Sequence, residues 1–206
     1  MNQQRNPLYP IFLKLHQLQL LIVGAGEVGY EKLSFILKSS PDANITVVAT
    51  WVSDEVQELL KNREHRVQII QRPFEASDVE GHDLVIAATN VRELNEEIQQ
   101  VSKAAGKLVN VADTPALCDF YLGSIVTRGP LKVAISTNGQ SPTFAKRFRQ
   151  LLEATLPDDV EDLLHNLKDI RDRLTGDFRA KVEQLNAITA SLLEEEKAPI
   201  DQADNY

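Results

Sequence analysis

The chain has 206 residues, 43 % of them apolar, which is room for a sizeable core and more than one ordinary domain. Its formal net charge of −8 argues against a nucleic-acid partner, because such proteins carry basic surfaces. No apolar run approaches the roughly 18–20 residues of a membrane span, which argues against a membrane partner.

The opening MNQQRNPLYP lacks the basic-then-apolar order of a signal peptide. The single cysteine, Cys118, excludes an internal disulfide framework and suits a reducing compartment, so a cytoplasmic protein is expected. From residue 18 to about 111, short β-rich apolar runs alternate with helix-patterned stretches. The runs are LQLLIVG at 18–24, NITVVA at 44–49, RVQII at 66–70, DLVIAA at 83–88 and KLVNV at 107–111. Their near-continuous hydrophobicity predicts strands of a parallel sheet covered on both faces. Helices are predicted between them at roughly 27–38, 53–62 and 91–105. The fold class is therefore α/β, a Rossmann-type parallel sheet in the N-terminal part.

Gly24-Ala25-Gly26-Glu27-Val28-Gly29 lies directly between the first strand and the first helix. This G-x-G-x-x-G gives a tight turn, bare backbone against a pyrophosphate, and close seating of the helix on the strand. Free amides and the helix dipole then hold the phosphates, which predicts a bound dinucleotide through Gly24, Gly26 and Gly29. The acidic residue usual at the end of the second strand is missing. That strand ends Ala49-Thr50-Trp51-Val52, so Thr50 or backbone amides are left for the ribose. Trp51 either lies against the adenosine or simply packs. No arginine follows directly to claim a 2′-phosphate, which favours NAD over NADP.

Ligands of such sheets bind beyond the carboxyl ends of the strands. Thr89-Asn90 follows the fourth strand, and Asn110-Val111-Ala112-Asp113 spans the end of the fifth. Asp113 precedes Thr114-Pro115 and is either a turn or cap residue or a functional carboxylate. Two further strands are predicted over 119–127 and 131–136, joined by Arg128-Gly129-Pro130. Ser141-Pro142 then starts a helix, with Phe144, Phe148, Leu151 and Leu152 at the spacing of a buried stripe and Pro157 marking its end. From 158 to about 194, apolar residues from Val160 to Leu192 fall three or four apart, predicting one or two amphipathic helices broken near Thr175-Gly176. The acidic tail from Glu194 to Tyr206 is expected to fray. His16, His65, His82 and His165 are scattered and, with one cysteine, form no recognisable metal motif.

A set of motifs resembles one family. Tyr9-Pro10-Ile11-Phe12-Leu13, the glycine loop continued as Gly29-Tyr30-Glu31-Lys32, Ala87-Ala88-Thr89-Asn90, Asn110-Val111-Ala112-Asp113, Cys118-Asp119-Phe120 and AISTNGQSP at 134–142 look like the bifunctional precorrin-2 dehydrogenase/sirohydrochlorin ferrochelatases of siroheme synthesis. The likeness runs from residue 8 to about 157. It implies residues 1–113 as an NAD-binding domain, 114–156 as a dimerisation region and 157–206 as a small helical domain with an acidic tail. It further implies a homodimer that oxidises precorrin-2 to sirohydrochlorin with NAD, in siroheme or cobalamin synthesis. Some members also take ferrous iron as a co-substrate. The family's essential aspartate matches Asp113, and its cofactor contacts match Glu27, Val28, Thr50 and Trp51. Gly123 departs from the proline frequent at that place, and Thr137 replaces a loop serine phosphorylated in some fused relatives.

The substrate so implied is a polycarboxylate, which an acidic protein must meet with locally gathered cations. Arg128, Lys132, Lys146, Arg147 and Arg149 cluster in sequence around the loop 136–142. Arg128, Lys146 and Arg149, together with Asn110, Ser136, Thr137 and Ser141, are the candidate substrate contacts, against the plainer reading of a solvated face. The reading in a different class is a regulatory module that senses NAD without turnover.

Overall fold

The computed structural model describes residues 6–61 and 66–190. His65, Leu192, the acidic tail from residue 194 and the last position of the helix expected over 53–62 lie outside the described residues. The chain divides into two compact units, Met1–Val126 with Ala134–Leu151, and Thr127–Val133 with Leu152–Tyr206.

The first unit is built on five parallel strands in the order β3-β2-β1-β4-β5. These are β1 (Gln19–Ala25), β2 (Asn44–Val52), β3 (Val67–Ile70), β4 (Leu84–Ala87) and β5 (Leu108–Val111). Helices α1 (Glu27–Ser39), α2 (Asp54–Leu60) and α3 (Arg92–Ala104) connect them. The central strands β1, β2 and β4 are largely buried on both faces, and the period of two sorts their side chains. Leu20 and Ile22 of β1 join Leu33, Ile36, Leu37, Val56 and Leu60 in the layer under α1 and α2. Leu21 and Val23 join Val85, Val109 and Ile98 in the layer under α3. Both layers are almost water-free, which is the environment that continuous apolar runs require.

The chain turns from β1 into α1 at the glycine loop, where β1 slips register between Val23 and Ala25. Gly24 has φ +108°, and a Cβ there would lie 2.4 Å from the Ala88 carbonyl oxygen. A Cβ on Gly29 would lie 2.2 Å from the Gly24 carbonyl oxygen. These two glycines are fold requirements. β2 runs three residues beyond its apolar core sequence, because Ala25 pairs with Val52 and the Ser53 amide donates to the Ala25 carbonyl.

The structure departs from expectation after β5. Residues 119–123 form no strand, although the first half of 119–127 reads as one. Asp119 accounts for this: its carboxylate accepts from the Val109 amide and its own amide donates to the Val109 carbonyl. Asn110 adds a bond to the Phe120 carbonyl, so the segment is pinned along the edge of β5 chiefly by side chains. Ladder pairing resumes at β6 (Ser124–Arg128), which forms a two-stranded sheet with β7 (Leu131–Ile135). Short 3-10 turns at Ala76–Val79 and Pro115–Leu117 carry no apolar period and are invisible to a periodicity reading.

Helix α4 (Pro142–Thr155) starts as the sequence predicts, its Ser141 hydroxyl accepting from the Phe144 amide. Its apolar stripe is not buried within the chain. Phe144 is 58 % exposed and Leu151 58 %, and the Phe144 and Phe148 rings stack at 5.9 Å. In the second unit, α5 (Val160–Arg173) and α6 (Phe178–Ile188) are separated at Gly176, whose φ is +107°. Asp177 caps α6 by accepting from the Ala180 amide. No helix among the described residues is long and apolar enough to cross a membrane.

Candidate functional site

Two cavities open at the carboxyl edge of the five-stranded sheet. The first, of about 520 Å³, is lined by the glycine loop, the end of β2 and the residues after β3 and β4. Gly24, Gly26, Glu27, Val28, Thr50, Trp51, Thr89 and Asn90 all line it, so the structure gathers eight of the nine candidate cofactor contacts in one cleft. The ninth, Gly29, lies behind them against Gly24.

Gly26 differs from its two neighbours in the motif. A Cβ there would meet nothing nearer than the Trp51 ring at 3.9 Å. The fold leaves this position bare, and the empty space lies on the cleft side. No side chain caps α1 at Gly26, so the first amides of the helix face the cleft with the positive end of its dipole. These features fit a pyrophosphate. Trp51 is 62 % exposed on the cleft wall and so is not a packing residue. Thr89 is a fixed element: its hydroxyl donates to Asn95 at 2.8 Å, and Asn95 returns a bond to the Thr89 carbonyl at 2.9 Å. Two residues that the sequence reading missed, Pro73 and Phe74, also line this cleft. The turn that carries them is tied by Arg72, which holds Asp78 through both terminal guanidinium nitrogens and the Pro73 carbonyl at 2.8 Å. That ion pair holds the Asp78 carboxyl below the usual range, although burial opposes the shift.

The second cavity, of about 370 Å³, lies past the end of β5 and holds Asp113, Asn110, Ser136 and Thr137. Asp113 is exposed and has φ +56°, the left-handed region that aspartate tolerates better than most residues. The turn is braced from behind by Cys118, whose sulfur accepts from the Val111 amide at 3.2 Å and lies 3.2 Å from the Val111 carbonyl it can donate to. Burial, the largest influence, pushes this thiol's pKa up, so it stays protonated and serves as a small hydrogen-bonding wedge. Asn110 is 6 % exposed and spends its amide nitrogen on the Phe120 carbonyl at 2.8 Å. Across the cavity, Asn138 has φ +53°, and its amide donates to Ser136 at 3.2 Å. Thr137 accepts from the Ser141 amide at 3.1 Å, while the Ser141 hydroxyl serves the helix cap.

Ser141, Lys146 and Arg149 do not line the Asp113 cavity, nor do Lys132 and Arg147. Lys146 and Arg147 are exposed on α4, where Arg147 bonds Gln150 at 3.2 Å. Arg128, in the second unit, donates to the Glu153 carbonyl at 2.8 Å. The one cation among the described residues that line the Asp113 cavity is Lys32, from α1. Its signal in the sequence was its place three residues after Gly29, on the first helix of the motif. Among the described residues, no three His, Cys, Asp or Glu side chains come together as a metal site.

Comparison with known proteins agrees with this fold. A family model for NAD(P)-binding domains matches residues 11–124, and one for the central region of sirohaem biosynthesis proteins matches residues 128–155. The chain is 36 % identical to a siroheme synthase of Pseudoalteromonas atlantica, over 96 % of this chain and 46 % of the relative. It is 39 % identical to one from Methylococcus capsulatus, over 80 % of this chain and 34 % of the relative. The chain thus spans less than half the length of these curated relatives. Among solved structures it is similar to SirC, a precorrin-2 dehydrogenase, with 26 % identity, a TM-score of 0.71 and coverage of 88 % of this chain and 89 % of SirC.

Proposed function

The chain belongs to the NAD(P)-binding family of sirohaem biosynthesis, and from that premise we propose that it is an NAD-dependent precorrin-2 dehydrogenase. The observation that carries the reading is the pair of cavities on neighbouring strand ends. The glycine-loop cleft includes the residues after β4, and the Asp113 cavity begins at the end of β5, which pairs with β4. A dinucleotide in the first and a tetrapyrrole in the second would meet at that edge.

NAD, when bound, supplies the hydride acceptor. The Gly26 backbone and the first amides of α1 hold the pyrophosphate, and Thr50 and Trp51 flank the adenosine end. No lysine or arginine is among the described residues lining this cleft, so a 2′-phosphate would find no partner there, which supports NAD over NADP. Oxidation of the reduced macrocycle releases one hydride and one proton. The Asp113 carboxylate takes the proton and stabilises positive charge as it develops. Ser136 and Thr137 border the substrate opposite. Ferrous iron, as a second substrate, would meet the product in the same cavity, with Asp113 and Glu31 as its carboxylates. No observation favours a regulatory module without turnover.

The exposed stripe of α4 supports a homodimer in which Phe144, Phe148 and Leu151 meet a second copy, with the interface within residues 114–156. A cytoplasmic location belongs to the same reading. The deciding experiment supplies precorrin-2 and NAD and follows NADH formation by its absorbance. Light scattering at micromolar concentration should give a dimer. NADH formation at the no-enzyme rate would sink the dehydrogenase reading, and a monomer would sink the proposed assembly.

A further inference from the structure

We propose that Lys32 anchors a peripheral carboxylate of the substrate, an inference that rests on the dehydrogenase reading of the Asp113 cavity. The cavity is walled by α1, the end of β5, the segment 121–124 and the loop from Ile135 to Pro142. Its described charged residues are Glu31, Lys32 and Asp113. A polycarboxylate entering it therefore meets two like charges and one opposite charge. Without a cation the cavity would repel such a ligand.

Lys32 is placed for this. Its side chain is 20 % exposed, unusually low for a lysine, which normally extends into water. Most of its stem is thus covered by the protein, which fixes where the ammonium can reach. Its carboxylate partner in the chain is Glu31 at 2.8 Å, whose side chain is 71 % exposed and free to swing away. One neighbouring carboxylate leaves part of the ammonium's three-donor capacity open. The positive charge also acts toward β5, since it lowers the Cys118 thiol pKa against the larger effect of burial. Lys32 and Asp113 line the same cavity. Glu31 serves as a placeholder: it neutralises Lys32 when the cavity is empty and yields to a ligand carboxylate. The arrangement separates recognition from chemistry, with Lys32 setting affinity and Asp113 handling the proton.

The test uses the full chain with Lys32→Met, which keeps the apolar stem, and Lys32→Arg, which keeps the charge. In precorrin-2 oxidation at saturating NAD, Lys32→Met should raise KM by about tenfold, the scale of one charge-assisted hydrogen bond. The loss in kcat should be much smaller, and Lys32→Arg should recover most of the affinity. NAD affinity, read from Trp51 fluorescence, should stay at the wild-type value because the residues lining the two cavities do not overlap. An unchanged KM, or a loss confined to kcat, overturns the anchor. A titration with sirohydrochlorin separates the two readings. Tight binding weakened by Lys32→Met, without any turnover in wild type, ends the dehydrogenase reading and keeps the anchor. Turnover at wild-type KM in the variant does the reverse.

Discussion

The two cavities on the carboxyl edge of the sheet are built from different material. The cleft beside the glycine loop is organised around backbone at its loop end: the uncapped start of α1, a glycine with no side chain, and strand ends in fixed register. The cavity around Asp113 is made of side chains from α1, β5, the segment after it and the loop before α4. Backbone sites depend on where a Cβ is absent, which the sequence states outright. Side-chain sites depend on which distant segments converge, and that is a property of the whole fold.

Substitutions at the glycines should break this contrast most sharply. Gly26→Val should remove measurable NAD binding while leaving the melting temperature near wild type. The added side chain enters open space that the fold does not use, at an extended backbone conformation of negative φ (−85°). Gly29→Ala should act the other way, because its methyl would meet the Gly24 carbonyl oxygen at 2.2 Å. A cost of about 1–3 kcal/mol of stability is expected there. Fluorescence of the sole tryptophan, Trp51 on the cleft wall, reads cofactor binding directly. If Gly26→Val binds NAD as wild type does, the cleft is not the cofactor site.

Asp113 tests the other cavity. Asp113→Asn keeps the size and the tolerance for φ +56° but loses charge and basicity. Turnover should fall by at least about 10²-fold, as when a general base is removed. NAD affinity and thermal stability should change little. Near-normal turnover in this variant would reduce Asp113 to a turn residue.

The sequence foretold the sheet because its strands are short, mostly apolar runs alternating with helix-patterned stretches, and its glycines marked the loop that lines the first cleft. The Asp113 cavity was legible only in part. Asp113, Asn110 and the loop from Ser136 stood out as candidate site residues, whereas Lys32 stood in a motif without a role of its own, since a lysine on a helix ordinarily reads as a solvated charge. The cations near residues 128 and 146–149 stood out by adjacency in sequence, but adjacency in sequence did not bring them to the cavity wall. Pro73 and Phe74 were missed for the same kind of reason. The turn that carries them is held by an ion pair and a short 3-10 segment, neither of which leaves a periodic trace.

That turn supplies the smallest effect and the finest test of the contrast. Arg72 and Asp78 line neither cavity themselves, but they fix the turn that presents Pro73 and Phe74 to the cleft. Asp78→Asn can keep one oxygen for the Glu75 amide, but it removes the charge and turns the other oxygen, which accepts from Arg72, into a donor. The pair is partly solvated, with Arg72 at 33 % and Asp78 at 7 % side-chain exposure, so a loss of about 1 kcal/mol is expected, below the range for a fully buried charged bond. NAD affinity should weaken a few-fold as the turn loosens, and KM for the tetrapyrrole should hold. The pH dependence has a definite sign. Because Arg72 depresses the folded-state pKa of Asp78, its contribution is fully present above the ordinary carboxylate pKa of about 4. It is lost as pH falls through the lowered folded value. Wild type and Asp78→Asn should therefore differ in stability at neutral pH and converge in strong acid, as measured by urea unfolding across that range. A stability difference that persists undiminished at the acid end would show that Asp78 acts through something other than its charge.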